Sequence, residues 1–107
     1  MIELRYFIDG EGSCPFEDWF VRLDATAAAK VTTALARVEQ GNLSNVKGVG
    51  GGVFEYKIDW GPGYRVYFGQ LDRVLVILLT GGTKKRQQRD IDLAQALWVE
   101  FKRAKPK

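Results

Sequence analysis

Ile2, Leu4, Tyr6 and Ile8 open the chain in alternation with Glu3 and Arg5, the two-residue period of a half-buried strand. Gly10 to Ser13 reads as a loop, and Pro15 stands where a first helical turn tolerates it. Phe16, Trp19, Phe20 and Leu23 then fall at i, i+3, i+4 and i+7, one face of a short helix. Asp24 and Thr26 both suit the cap of a second helix, whose buried stripe is Val31, Ala34, Leu35 and Val38 and whose stop is Gly41-Asn42. Residues 42–52 read as a loop ending in Gly48-Val49-Gly50-Gly51-Gly52. No helix follows these glycines, so they open a hairpin and do not form a phosphate-binding loop.

From Val53 to Trp60 the alternation is strict, with Phe54, Tyr56 and Ile58 on one face and Glu55, Lys57 and Asp59 on the other. The turn Gly61-Pro62-Gly63 leads into a second alternating strand, Tyr64 to Phe68. Pairing the two so that Val66 and Phe68 join the core face puts Lys57 and Arg65 together on the outer surface. Arg73 to Thr80 is apolar on both faces, the mark of a central strand. Thr83 is a good N-cap for a last helix, with Ile91, Ala94, Trp98 and Phe101 as its apolar side, running to Lys102 or Arg103 before Pro106. The order β-α-α-β-β-β-α predicts a small two-layer α+β fold: an antiparallel-rich twisted sheet, two N-terminal helices and one long C-terminal helix. With neither repeat nor linker, residues 1–107 read as a single domain.

Composition narrows the chemistry. The chain contains no histidine, which removes every site built on imidazole, including zinc hydrolases, Ser-His-Asp triads and His-pair nucleases. The single cysteine, Cys14, makes no internal disulfide and has no histidine to activate it. Asp90 and Asp92 are spaced by two and do not share a helix face, so no metal site and no cofactor are expected. There is no signal-peptide pattern and no apolar run of membrane-spanning length, and the expected location is the cytoplasm. Charge is uneven: residues 84–107 hold eight bases and three acids, whereas residues 1–83 hold eight bases and ten acids. A basic terminal quarter favours a polyanionic partner, nucleic acid first among them; a solvated helix face would give the same count.

Lys57, Arg65, Lys84 and Lys85 are the groups that the predicted layout brings together. Lysines at a helix start oppose the helix dipole and become sensible where a phosphate occupies the first-turn N–H groups. Arg65 sits among Tyr64, Tyr67 and Phe68, a setting that also suits ordinary cation–aromatic packing.

Four stretches carry a family resemblance: Pro15-Phe16-Glu17-Asp18-Trp19, Gly52 to Asp59, Gly61 to Phe68 and Leu78 to Lys85. With Asp90-Ile91, Ala94 and Trp98 they resemble RelE/ParE-superfamily toxins of type II toxin–antitoxin pairs, closest to the HigB-like addiction module killer proteins. The resemblance implies a ribosome-dependent mRNA endonuclease that works without metal and inhibits translation. Arg65 matches the arginine of the family's hairpin strand, Lys57 the base of the preceding strand, and Lys84 and Lys85 the basic pair after the central strand. Lys47, Arg86 and Arg89 are the further bases expected to bind nucleic acid. Some nuclease members place a Tyr or His near the start of the last helix, where this chain reads Arg86-Gln87-Gln88-Arg89-Asp90. The proton role therefore falls to Lys84 or Lys85, because a lysine among cations gives up its proton more readily. The expected partners are a cognate antitoxin of helix-turn-helix type, the ribosome and mRNA. Two alternatives stand beside this reading, a ParE-like inhibitor of DNA gyrase and a non-catalytic nucleic-acid-binding module.

Overall fold

In the computed structural model, which describes residues 1–104, five strands form one sheet in the order β1-β5-β4-β3-β2. The chain runs β1 (Glu3–Tyr6), α1 (Pro15–Phe20), α2 (Ala25–Glu39), β2 (Val46–Gly50), β3 (Val53–Ile58), β4 (Tyr64–Asp72) and β5 (Leu75–Thr83). A 3-10 turn (Lys84–Arg86) then leads into α3 (Gln87–Ala104). β1 lies parallel to β5 and every other pairing is antiparallel. Lys105, Pro106 and Lys107, which belong to the basic C-terminal quarter, lie outside the described residues.

Local chemistry explains most boundaries. Pro15 occupies the first turn of α1, and Glu17 and Asp18 complement its dipole. Asp24 caps α2, its Oδ1 accepting the N–H of Ala27 at 2.8 Å; Thr26 lies inside the helix. At the other end the N–H of Gly41 donates to Val38 and that of Asn42 to Arg37, which satisfies the last carbonyls.

The α+β class and its order are as the pattern predicts, with one strand more. Residues 46–50 pair with β3 and do not form a loop. Three of the five positions from Val46 to Gly50 are bases or glycines without strand propensity, so the pairing comes from the open edge of β3. Gly50, Gly51 and Gly52 all take positive φ, 95°, 66° and 82°, and form the turn between β2 and β3. β5 also extends through Gly81-Gly82-Thr83, and Thr83 makes no side-chain cap bond.

Helices cover both faces of the sheet. Phe16 of α1 and Val31, Ala34 and Val38 of α2 pack on Tyr56, Ile58, Val66, Phe68, Val76 and Leu78. On the opposite face Ile91, Ala94, Leu97 and Trp98 of α3 pack on Val53, Tyr67, Ile77 and Leu79. The helical cover is therefore one layer deeper than a two-layer arrangement, as the doubly apolar β5 requires.

Candidate functional site

The β3–β4 hairpin has the register that its alternation predicts: Lys57 is opposite Arg65, and Arg65 is opposite Gly82 on β5. Gly63, at the end of the hairpin turn, ties this row to the start of the last helix. Its carbonyl oxygen accepts the Arg65 Nη1–H at 3.0 Å and the Lys84 backbone N–H at 2.8 Å. Lys84 therefore directs its N–H at the hairpin and does not leave it open for an anion.

Side-chain exposure divides the predicted set. Lys57, Lys84 and Lys85 are exposed, but Arg65 is only 4% exposed. The surface expected to carry both Lys57 and Arg65 is closed over Arg65 by the first residues of α3. Glu55, which alternation places on that same face, is fully buried there. A buried guanidinium needs a charge partner, and Glu55 supplies it: Oε2 lies 3.6 Å from Arg65 Nε. Glu55 Oε2 also accepts a hydrogen bond from Gln87 Nε2 at 2.9 Å, and Lys47 Nζ approaches Oε1 at 3.7 Å. Lys47 is thus an ion-pair partner of Glu55 as well as a surface base.

Tyr67, opposite Glu55 on β4, is fully buried and its hydroxyl has no hydrogen-bond partner. Burial, and after it the negative charge of Glu55, raise its pKa far above that of an ordinary phenol. Asp90 lies so close over Gly82 that a Cβ there would overlap its carboxylate, so any side chain at position 82 would have to displace Asp90. Its Oδ2 is buried without a hydrogen bond, and this burial raises its pKa against the opposing pull of Arg86 and Arg89.

Lys57 lines two hollows, one against α2 and one against β2, and neither includes Arg65, Lys84 or Lys85. Arg86, exposed in the 3-10 turn, lines a cleft of about 480 Å³ between α1 and α3 with Trp19, Arg22 and Asp90. Arg89 is exposed on the first turn of α3. The backbone thus brings Lys57, Arg65 and Lys84 into adjacent positions, while their side chains do not share one described cavity. Among the described residues no group of three or more acidic, cysteine or histidine side chains is placed to hold a metal ion. Nor is any described helix long and apolar enough to cross a membrane.

Glu55, Tyr67, Gln87 and Lys30 with Arg37 carry no sequence motif. A signal exists for the last pair: spaced by seven, they share one face of α2. Glu55 gives none, since an acid between Val53 and Lys57 looks the same on a solvated face as on a covered one.

An uncharacterized protein of Haemophilus influenzae is 43% identical over 87 residues, which span 80% of this chain and 88% of that protein. The family profile described as phage-derived protein Gp49-like (DUF891) matches residues 18–98, a stretch that contains α2, all of β2 to β5, the Gly63 anchor and most of α3. This chain belongs to that Gp49-like family, a RelE/ParE-like toxin family of toxin–antitoxin systems, which implies a cognate antitoxin as its partner.

Proposed function

We propose that this protein is a type II toxin of HigB-like activity that cleaves mRNA in the ribosome and so arrests translation. The single observation behind this reading is the Gly63 anchor, which holds the Arg65 guanidinium and the start of the Lys84-Lys85 pair to one carbonyl with Lys57 as the neighbouring strand partner. The ribose 2′-OH attacks the adjacent phosphorus and gives its proton to Lys84 or Lys85. The bond from phosphorus to the 5′ oxygen breaks as the other lysine of the pair, in its ammonium form, gives that oxygen a proton, leaving a 2′,3′-cyclic phosphate on one product and a 5′-hydroxyl on the other. Arg65 exchanges its loose 3.6 Å contact with Glu55 for the phosphoryl oxygens as charge builds on them, while Gln87 continues to satisfy Glu55. Lys57 neutralises the same charge from the rim. The antitoxin in this reading is a small helix-turn-helix protein that covers the basic groups.

Mapping mRNA 5′ ends in a translating extract tests the assignment. New ends confined to translated messages are expected from the wild-type protein, with about a hundredfold loss in Lys84→Ala/Lys85→Ala and in Arg65→Ala. Unchanged cleavage by these variants overturns the roles given to the three residues. A second reading, a gyrase inhibitor that acts by protein binding alone, is favoured by the Arg65–Glu55 pair, since that pair occupies the guanidinium. Gyrase-linked DNA breaks without new mRNA ends would establish it.

A further inference from the structure

Between α2 and the β3–β4 hairpin lies a hollow of about 230 Å³ whose lining is unusual in charge. Lys30 and Arg37 line it from α2, and Lys57, whose side chain by strand alternation shares the α3 face with Glu55 and Arg65, borders it at β3, against one acid, Asp59. Among the described residues none of the three bases has an ion-pair partner. Like charges gathered around a small concavity repel one another, and folding alone gives no reason to collect them. Thr33 and Asn45 add neutral hydrogen-bonding groups to the same wall.

The aromatic side of the hollow orients one of these cations. Trp60, 37% exposed, stacks on Tyr64 with ring centroids 6.1 Å apart, and Lys30 Nζ stands 5.7 Å from the Trp60 ring centroid. That cation–π contact keeps the ammonium at the hollow and does not neutralise it. A second hollow adjoins the first through Asn45, Lys57 and Asp59, and leads to Lys47 on β2. The bases therefore follow one another from α2 across β3 to the sheet edge, as a chain of phosphates would require, and Trp60 has its ring engaged by Tyr64 and Lys30 and is not left as a stacking platform.

We propose that this hollow is a phosphodiester subsite for a single RNA strand, in which Lys30 and Arg37 grip backbone phosphates next to the one presented to Lys57. This inference rests on the RNA-cleaving reading above and adds to it the path of the strand away from the reacting phosphate. The grip is sequence-independent, because phosphates carry no base information.

The test is binding of a labelled short single-stranded RNA to the purified protein, followed by fluorescence anisotropy across a salt series. Each phosphate neutralised on a single strand contributes roughly 0.7 to the slope of log K against log salt, so Lys30→Gln/Arg37→Gln should flatten that slope by about 1.4. Lys30→Glu/Arg37→Glu should abolish binding at the same salt, and both variants should keep the wild-type melting temperature because the residues are exposed. An unchanged slope and affinity in both variants would overturn the subsite. Displacement of the RNA by millimolar inorganic phosphate at constant ionic strength would also overturn it, assigning the hollow to a free anion. The cleavage assay separates the two readings. Absent mRNA ends with a flattened slope would remove the nuclease reading and leave the subsite, whereas intact cleavage with no change in slope would do the reverse.

Discussion

The two faces of the central sheet are built on opposite principles. Under α1 and α2 the packing is apolar but for Tyr56, from Phe16 and Val31 to Phe68 and Leu78. Under α3 the Trp98 end is equally apolar, but the end beside Gln87 buries Glu55, Arg65 and the Tyr67 hydroxyl. The first face derives its stability from area removed from water, a non-directional gain that tolerates adjustment. The second face requires partners at fixed positions, because a buried charge or hydroxyl left alone costs several times what a satisfied one contributes. The difference places the conformational constraint of the molecule beneath the start of α3, next to the groups assigned to chemistry. That requirement is only partly met, since Glu55 Oε1, Arg65 Nε and the Tyr67 hydroxyl are buried without a hydrogen bond.

Removing one charge of the buried pair should break this contrast most severely. Glu55→Ala leaves Arg65 enclosed without its carboxylate, and chemical denaturation should show a loss of about 3–5 kcal/mol. Replacing both charges, as in Glu55→Leu/Arg65→Met, should cost far less, which would show that the pair serves position more than stability. On the apolar face Leu78→Ala should cost about 2–5 kcal/mol with no such rescue, since only a cavity is left. If the double variant is as unstable as Glu55→Ala, the two faces do not differ in the way described.

The Tyr67 hydroxyl provides a finer comparison. It is buried with no partner, so Tyr67→Phe should raise stability by about 1 kcal/mol in the same denaturation experiment. A loss would mean that the hydroxyl is bonded to Glu55.

The smallest effect concerns Asp90. Burial raises its pKa in the folded protein above the ordinary aspartate value of 3.8, so the native state holds the proton more tightly than the unfolded chain. Its contribution to stability is then fully present below pH 3.8 and is lost as pH rises through the folded pKa. Asp90→Asn should accordingly melt slightly higher than wild type at neutral pH, and the two curves should converge as the medium is acidified toward and below that value. A gap that stays constant with pH would remove the assignment.

The hairpin shows how far the chain is legible unaided. Alternation from Val53 to Phe68 around Gly61-Pro62-Gly63 is enough to pair Lys57 with Arg65, because a short turn leaves few registers and a slip by one residue would expose the core face. The head of α2 is legible to within two residues, Asp24 or Thr26, because a cap acts within three residues, and the structure selects Asp24. β2 is not legible. Its glycines and Lys47 carry no strand signal, and it exists because β3 offers an unpaired edge.

Glu55 and Arg65 mark the limit most clearly. Their positions on the far face of the hairpin follow from period-two geometry, a property of the backbone that needs only the residues nearby. Whether that face meets water or protein depends on where α3, more than twenty residues later, comes to rest, and its stripe of Ile91, Ala94 and Trp98 states that it must cover something without stating what. Local patterning sets faces, caps and registers because those interactions span a few residues. Burial of a charge, the sharing of the Gly63 carbonyl and the gathering of Lys30, Arg37 and Lys57 arise from contacts between segments distant in the chain, so they emerge only when the layers are assembled.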